Sequence, residues 1–189
     1  VGRARRVGTL ALPIDPRAPR SAKHNDRALW EREAKRLGVD ELLLCSVTSL
    51  FRGRELLEAH NSNVWLMCCE RSREREVLER LNSREMSHHR STLLRDTVWY
   101  TPPLDGRCLA GVTRALLISI LTSACASVHE ERGVLTVERI HSQRRGEYYY
   151  VSSTLKSMAP IVQCDYLTLS RPSFDAALCL WLDERLSSS

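Results

Sequence analysis

The stretch VWYTPPLDGRCLAGVTRALL, residues 98–117, carries more fold information than any other part of this chain. It passes from an aromatic, β-branched run (TVWYT, 97–101) through paired prolines into a polar loop, then to a glycine that opens an apolar helix. Pro102 and Pro103 have no backbone N–H to give a ladder, so the strand ends there. Gly111 precedes a helix that is expected to run to about Ala126. The first turn of a helix leaves N–H groups without internal partners, the helix dipole adds positive potential, and glycine lets an anion come close. A glycine before a helix is common, so the stretch alone defines a strand, a loop, and a helix whose start suits a phosphate.

Toward the N-terminus, Val7–Ile14 reads as a strand, followed by a loop carrying Pro13, Pro16 and Pro19. Asn25 or Asp26 can cap a helix to Leu37, with Trp30, Ala34 and Leu37 on one face and Gly38 ending it. DELLLCSV (40–47) and NVWLMCC (63–69) read as buried strands joined by a turn-bearing connection, FRGRELLEAHNS. Residues 72–95 read as a charged, partly helical insertion with little to bury. Toward the C-terminus, short strand-like pieces fall around Val128 and Val134. GEYYYVSST (146–154) is a strand ending in hydroxyls, PIVQCDYL (160–167) is another, and SFDAALCLWLDERL (173–186) is an amphipathic helix capped by Ser173. This mixture of strands and helices, with strands ending in polar loops, places ligand sites at loops without naming their chemistry.

Composition removes several classes. Hydrophobic residues make up 43% of the 189, which supports a real core rather than disorder. No run approaches the ~20 apolar residues of a membrane span, because Ser119, Thr122 and Ser123 break the most apolar segment. A soluble protein is expected, with no membrane partner. The net charge of +5 is spread in runs such as ERSREREVLER, the pattern of a solvated helix face, so no nucleic-acid partner is expected. Seven cysteines, an odd number without CxxC or zinc-finger spacing, read as reduced residues in the cytosol or an organelle; no metal and no secretion are expected. His88 and His89 fall in a polar stretch and read as surface loop. The chain starts at Val1 without an apolar leader, which suggests a processed or partial sequence.

Two further polar positions matter beside Gly111-Val112-Thr113-Arg114. Ser152-Ser153-Thr154 places hydroxyls where a strand ends, suited either to a phosphate or to capping the next turn. Glu58, five residues before Asn63 at a strand entry, is a carboxylate that could keep a pyridine nitrogen protonated, or simply an exposed loop residue.

Taken in order, SAKHNDRALWEREAKRLGVDELLL, ELLEAHNSNVWLM, VWYTPPLDGRCLAGVTRALL and GEYYYVSSTLKSMAPIV resemble the successive blocks of the class IV aminotransferases. That family includes branched-chain and D-amino acid aminotransferases and aminodeoxychorismate lyase. The resemblance implies an α+β, D-amino acid aminotransferase-like fold, mainly its large C-terminal domain, a β-pseudobarrel flanked by helices. It implies pyridoxal 5'-phosphate as cofactor, an amino acid and a 2-oxo acid as substrates, and a homodimer. Residue by residue, Lys23 looks like the catalytic lysine that binds the cofactor and moves the α-proton. Its amine must be partly neutral, so burial and neighbouring positive charge are expected to depress its pKa. Glu58 looks like the partner of the pyridine nitrogen, Val112 and Thr113 like the phosphate-binding turn, Leu109 like the residue against the ring face, and Thr154 with Ser153 like the second phosphate contact.

Departures from the family pattern are specific. Ala59 stands where glycine usually follows the glutamate, and Gly53 lies one residue further from Glu58 than usual, which keeps Glu55 in play. Leu109-Ala110-Gly111 replaces Leu-Pro-Gly, and the 72–95 segment exceeds the usual connection. Residues 1–22 would be the end of a small domain or linker and an entry strand, and 23–189 the large cofactor-binding domain, so the family's small N-terminal domain would be largely absent. Gly-Val-Thr-Arg favours transamination; Lys23-His24 with Arg27 favours the lyase, which forms p-aminobenzoate and pyruvate. A non-catalytic structural or assembly protein that kept the fold is the reading from another class.

Overall fold

The computed structural model describes residues 4–12, 27–46, 53–83, 92–105, 108, 110–153 and 157–188. In chain order the elements are β1 (Arg5–Leu12), α1 (Arg27–Leu37), β2 (Glu41–Ser46), β3 (Leu56–Ala59), β4 (Ser62–Cys69), a 3₁₀ turn at Arg71–Arg73, α2 (Glu74–Asn82), β5 (Thr97–Thr101), α3 (Val112–Ser123), β6 (Ser127–Glu130), α4 (Val137–His141), β7 (Glu147–Ser153), β8 (Ser157–Cys164), β9 (Leu167–Thr168) and α5 (Asp175–Ser187). The strands form one sheet in the order β3-β2-β1-β8-β7-β4-β5-β6, with β9 added to β8. β1 runs parallel to both β2 and β8, and β5 parallel to β6; the other pairings are antiparallel.

Alternation along the central strands explains why both faces of this sheet are covered. Trp65 and Met67 of β4, with Tyr148 and Tyr150 of β7, face a core closed by Val77 of α2, Leu117 and Leu121 of α3, and Leu178, Trp181 and Leu182 of α5. Val64 and Leu66, with Tyr149 and Val151, face a second core shared with Val7, Leu43 and Leu56. Leu56 and Val64 lie on strands that four others separate in the sheet order, yet they belong to one cluster. The sheet must therefore curl into a half barrel, with α2, α3 and α5 on its outer side and α4, through Val137 and Ile140, against the inner core. In the helix-covered core, Trp65 and Trp99 meet edge to face at 6.5 Å, an arrangement worth about 0.5–1.5 kcal/mol beyond burial.

Six local expectations are corrected. The connection after β2 contains a true strand, β3, whose Leu43↔Ala59 and Leu44↔Glu58 pairings make it the sheet edge. The 72–95 segment is not a surface appendage: Val77, Leu93 and Leu94 are fully or almost fully buried in the helix-covered core. Its buried Glu74 accepts from the Tyr148 hydroxyl and from the Ser173 N–H, tying α2 to β7 and to the start of α5. No strand forms around Val134; Thr136 instead caps α4, its hydroxyl accepting from the Arg139 N–H at 3.0 Å. PIVQCDYL is two strands, because Asp165 takes a left-handed φ of 52° and reverses the chain from β8 into β9. The cap of α5 is Phe174, one residue after the expected Ser173, and makes no side-chain cap bond. Leu37 is exposed although Trp30 and Ala34 on the same helix are buried. Gly38, at φ 66°, ends α1 as expected. Residues 13 and 14 of the first strand and the capping pair Asn25 and Asp26 lie outside the described residues. No helix among the described residues is long and apolar enough to cross a membrane.

Candidate functional site

The β3–β4 hairpin is tight. Glu58 and Ala59 end one strand, His60 and Asn61 turn the chain, and Ser62 and Asn63 begin the next. His60 is buried and its Nδ1 accepts the Leu42 N–H at 3.0 Å, so the neutral ring carries its proton on Nε2. The Asn61 amide lies 2.7 Å from that nitrogen, and the Asn61 N–H donates to Glu41 Oε1 at 3.1 Å. Burial raises the Glu41 carboxyl above the usual glutamate range, with the Ser62 and Asn61 hydrogen bonds pulling the other way. The hairpin is thus fixed from beneath by side chains of its neighbour β2 and its own turn.

Two other elements meet it. Asn63 pairs across the ladder with Ser152 of β7, and Ser152 accepts the buried Trp65 indole N–H at 2.8 Å. The start of α3 approaches from the other side: a Cβ placed on Gly111 would lie 2.9 Å from Asn63 Oδ1, closer than real Cβ contacts. Gly111 sits at φ −78°, ψ 139°, so glycine is needed for the approach and not for the dihedral. The first turn of α3 has no side-chain bond from its N-cap, Gly111, and no acidic residue, so its positive potential is not offset within the turn.

Arg114 locks this turn in place. Its side chain is 2% exposed, and Nη2 reaches Pro102 O at 2.8 Å and Glu130 Oε2 at 3.0 Å. The buried guanidinium therefore joins the end of β5, the end of β6 and the start of α3. Nearby Cys108 contacts the carbonyls of Pro102 and Pro103, and burial pushes its thiol up to about 11.

Between these pieces lies a cavity of about 240 Å³, lined among others by Trp30, Glu58, His60, Asn63, Gly111 and Thr113. Its lining includes a carboxylate from β3, Glu58, and the start of α3. A larger and more open groove of about 580 Å³ lies at the other end of β4 and β7, among Arg73, Arg95, Arg144 and Arg145. The smaller cavity is the better candidate despite its size, because it brings together residues of all four sequence blocks with the start of α3.

The sequence-derived residues fall as follows. Glu58, Gly111 and Thr113 line the cavity. Glu55 does not: it is buried elsewhere, accepting the Gly133 N–H at 3.1 Å and bridging to Thr136. The Val112 side chain is exposed, so only its N–H can serve the turn. On β7 the lining residue is Ser152, with the half-buried Ser153 one position further on. Lys23, Leu109 and Thr154 lie outside the described residues. Trp30, His60 and Asn61 were not foreseen; the only signal was that His60 and Asn61 stand between Glu58 and Asn63.

The donor set fits a cofactor carrying a phosphate at one end and a basic ring nitrogen at the other: an uncapped helix start with Thr113 for the first, Glu58 for the second.

Comparisons with known proteins bear on the family and the fold. The model of the amino-transferase class IV family matches residues 6–164. No curated protein sequence matches the chain. Among solved structures, the fold IV-transaminase CpuTA1 from Curtobacterium pusillum is similar at 20% identity and TM-score 0.64, covering 98% of this chain and 54% of that one. The PLP-bound form of a hypothetical aminotransferase from Mycobacterium tuberculosis is similar at 14% identity and TM-score 0.69, covering 98% and 56%. A candidate 4-amino-4-deoxychorismate lyase from Legionella pneumophila is similar at 19% identity and TM-score 0.64, covering 96% and 56%. The chain thus spans little more than half the length of these structures. With its matched span, its half-barrel sheet and the ordered blocks around one cavity, the chain belongs to the amino-transferase class IV family.

Proposed function

We propose that this chain supplies the large-domain half of a pyridoxal-phosphate-dependent aminotransferase that exchanges an amino group between an amino acid and a 2-oxo acid. The observation that carries the reading is the cavity bracketed by Glu58 and the uncapped start of α3. Pyridoxal phosphate supplies an electron sink for charge developing at a substrate α-carbon. Around it, Glu58 favours a protonated ring nitrogen through its negative charge. The N–H groups of Val112 and Thr113 and the Thr113 hydroxyl hold the phosphate, with Ser153 and Thr154 as the second contact. By the family resemblance, Leu109 would stand against the ring face. By the family resemblance, Lys23 Nζ anchors the cofactor and moves the proton at the substrate α-carbon. Arg114 touches none of these groups; it positions the phosphate turn.

A second reading, aminodeoxychorismate lyase activity, is favoured by Lys23-His24 with Arg27. Branched-chain and D-amino acids are the substrate classes for the first reading, and a homodimer is the expected assembly. The test is an absorbance spectrum of the purified protein with pyridoxal phosphate, beside Lys23→Ala. A visible-edge band that survives desalting, is trapped by borohydride and is absent in the variant supports the reading. Conversion of the bound cofactor to pyridoxamine phosphate by an amino acid alone assigns a transaminase, and pyruvate release assigns the lyase. A folded protein, tested with any upstream sequence restored, that binds no cofactor would favour a fold retained without catalysis.

A further inference from the structure

Away from the cofactor cavity, three side chains with different donor atoms converge where β8 turns into β9. His141 ends α4, Cys164 ends β8, and Asp165 is the first residue of the turn. One ligand atom from each lies within 4.8 Å of the others. We propose that His141 Nε2, Cys164 Sγ and a carboxylate oxygen of Asp165 form a binding site for a zinc-type divalent cation.

The backbone makes this convergence possible. Consecutive residues of a strand point to opposite faces, so a Cys-Asp pair in regular β-structure cannot share a ligand. Asp165 escapes that rule by its φ of 52°, which turns its side chain back beside Cys164. A left-handed conformation is uncommon for a residue other than glycine, although aspartate tolerates it better than most.

The carboxylate is also held from outside the triad. Asp165 Oδ1 accepts the Thr9 N–H at 2.8 Å, and Oδ2 accepts the Thr9 hydroxyl at 3.0 Å. Outer contacts of this kind orient the ligands of metal sites. His141 Nε2 lies 2.8 Å from Asp165 Oδ2. Tetrahedral zinc with bonds of about 2.0–2.3 Å sets its ligand atoms roughly 3.5 Å apart, so binding requires the separations among the three atoms to change by at most about 1.3 Å. The mixed N, S, O set suits zinc better than calcium or magnesium, which take oxygen. Three protein ligands leave a fourth position for water. Arg54, whose charge reaches Cys164, is engaged by Glu138 at 3.0 Å.

The chemistry balances without a redox change. Cys164 is fully buried. Formation of the metal–sulfur bond breaks the Cys164 S–H bond and releases its proton to solvent. The imidazole proton moves to Nδ1, and the Nε2 lone pair replaces its hydrogen bond to Asp165 with a bond to the metal. An occupied site would clip β1, α4 and the β8–β9 turn together.

The probe is cobalt(II), added to chelator-dialysed protein without pyridoxal phosphate. Binding of one equivalent is expected, with a thiolate-to-cobalt charge-transfer band that zinc displaces. Cys164→Ser should abolish the band. His141→Gln, at a partly exposed position, should weaken the affinity at least tenfold while leaving the far-ultraviolet circular dichroism unchanged. Where the cysteine variant folds poorly, His141→Gln decides alone. A missing band in the wild type, or a band whose affinity is unchanged in His141→Gln, overturns the proposal.

Discussion

Gly111→Ala separates the stability of the fold from phosphate binding. The new methyl group would meet Asn63 Oδ1 at 2.9 Å, about half an ångström inside ordinary van der Waals contact. The Gly111 dihedrals are extended and open to any residue, so the backbone is not strained. The relief must come from the Asn63 amide or from the start of α3 moving away from β4. Alanine also reduces the freedom of the unfolded chain, a gain of about 0.4–1 kcal/mol. That gain and the contact penalty nearly cancel, and the unfolding midpoint should change little. Phosphate binding has no such compensation, because the N–H groups of Val112 and Thr113 move with the turn. Hydrogen bonds to a charged group are worth roughly 1.5–3 kcal/mol. Spoiling one by about half a bond-strength costs on the order of 1.4 kcal/mol, a tenfold rise in Kd. The assay is thermal unfolding beside equilibrium binding of pyridoxal phosphate and of pyridoxal, which lacks the phosphate. The expected pattern is an unchanged midpoint, unchanged pyridoxal affinity and tenfold weaker pyridoxal phosphate. Equal affinity for pyridoxal phosphate in a folded variant would refute the assignment of this turn to the phosphate.

Leu94→Ala, in the segment that looks like a surface insertion, should lower urea-unfolding stability by about 2–5 kcal/mol, because Leu94 is fully buried; a loss within experimental error would return the segment to the surface. Arg114→Met should cost about 1–3 kcal/mol by stranding the Pro102 carbonyl, with Glu130 partly relieved by its 40% exposure. The same variant should weaken pyridoxal phosphate more than pyridoxal, which a purely structural role would not do. Burial places the folded-state pKa of Glu41 above its unfolded value. The stability linked to Glu41 is thus complete below the unfolded value and lost as pH rises through the folded one. Glu41→Gln should therefore gain in melting temperature relative to wild type between acid and neutral pH, and show no gain at the acid end; a constant difference would contradict the sign.

The parts of the fold legible in the sequence are those where one local rule was unopposed. β2, β4 and β7 are buried on both faces, so they read as apolar or aromatic runs. β3 did not, since it is only four residues long and carries Glu58. Around Val134 the β-branched residues suggested a strand, but the Thr136 hydroxyl capping the Arg139 N–H starts a helix instead. In the 72–95 segment the arginines and glutamates hid Val77, whose burial depends on α5 lying over it. Sequence periodicity cannot show that, because the partner helix is a hundred residues away.

The two sites differ in the same way. Glu58 and Asn63 are contained in one hairpin, and Gly111 and Thr113 in one loop-to-helix junction, so each half of the proposed cofactor cavity is written in nearby residues. What the sequence leaves out is the contact between the halves, which depends on Asn63 facing Gly111 and on Arg114 reaching two strand ends. His141, Cys164 and Asp165 have no such local signature. Zinc spacing in sequence is a property of ligands carried on short hairpins and helices, whereas these donors meet through a backbone reversal at Asp165 and the packing of α4 against that turn. A search by spacing therefore passes over them, and only the left-handed turn at Asp165, visible in three dimensions, brings the sulfur and the carboxylate to the same side.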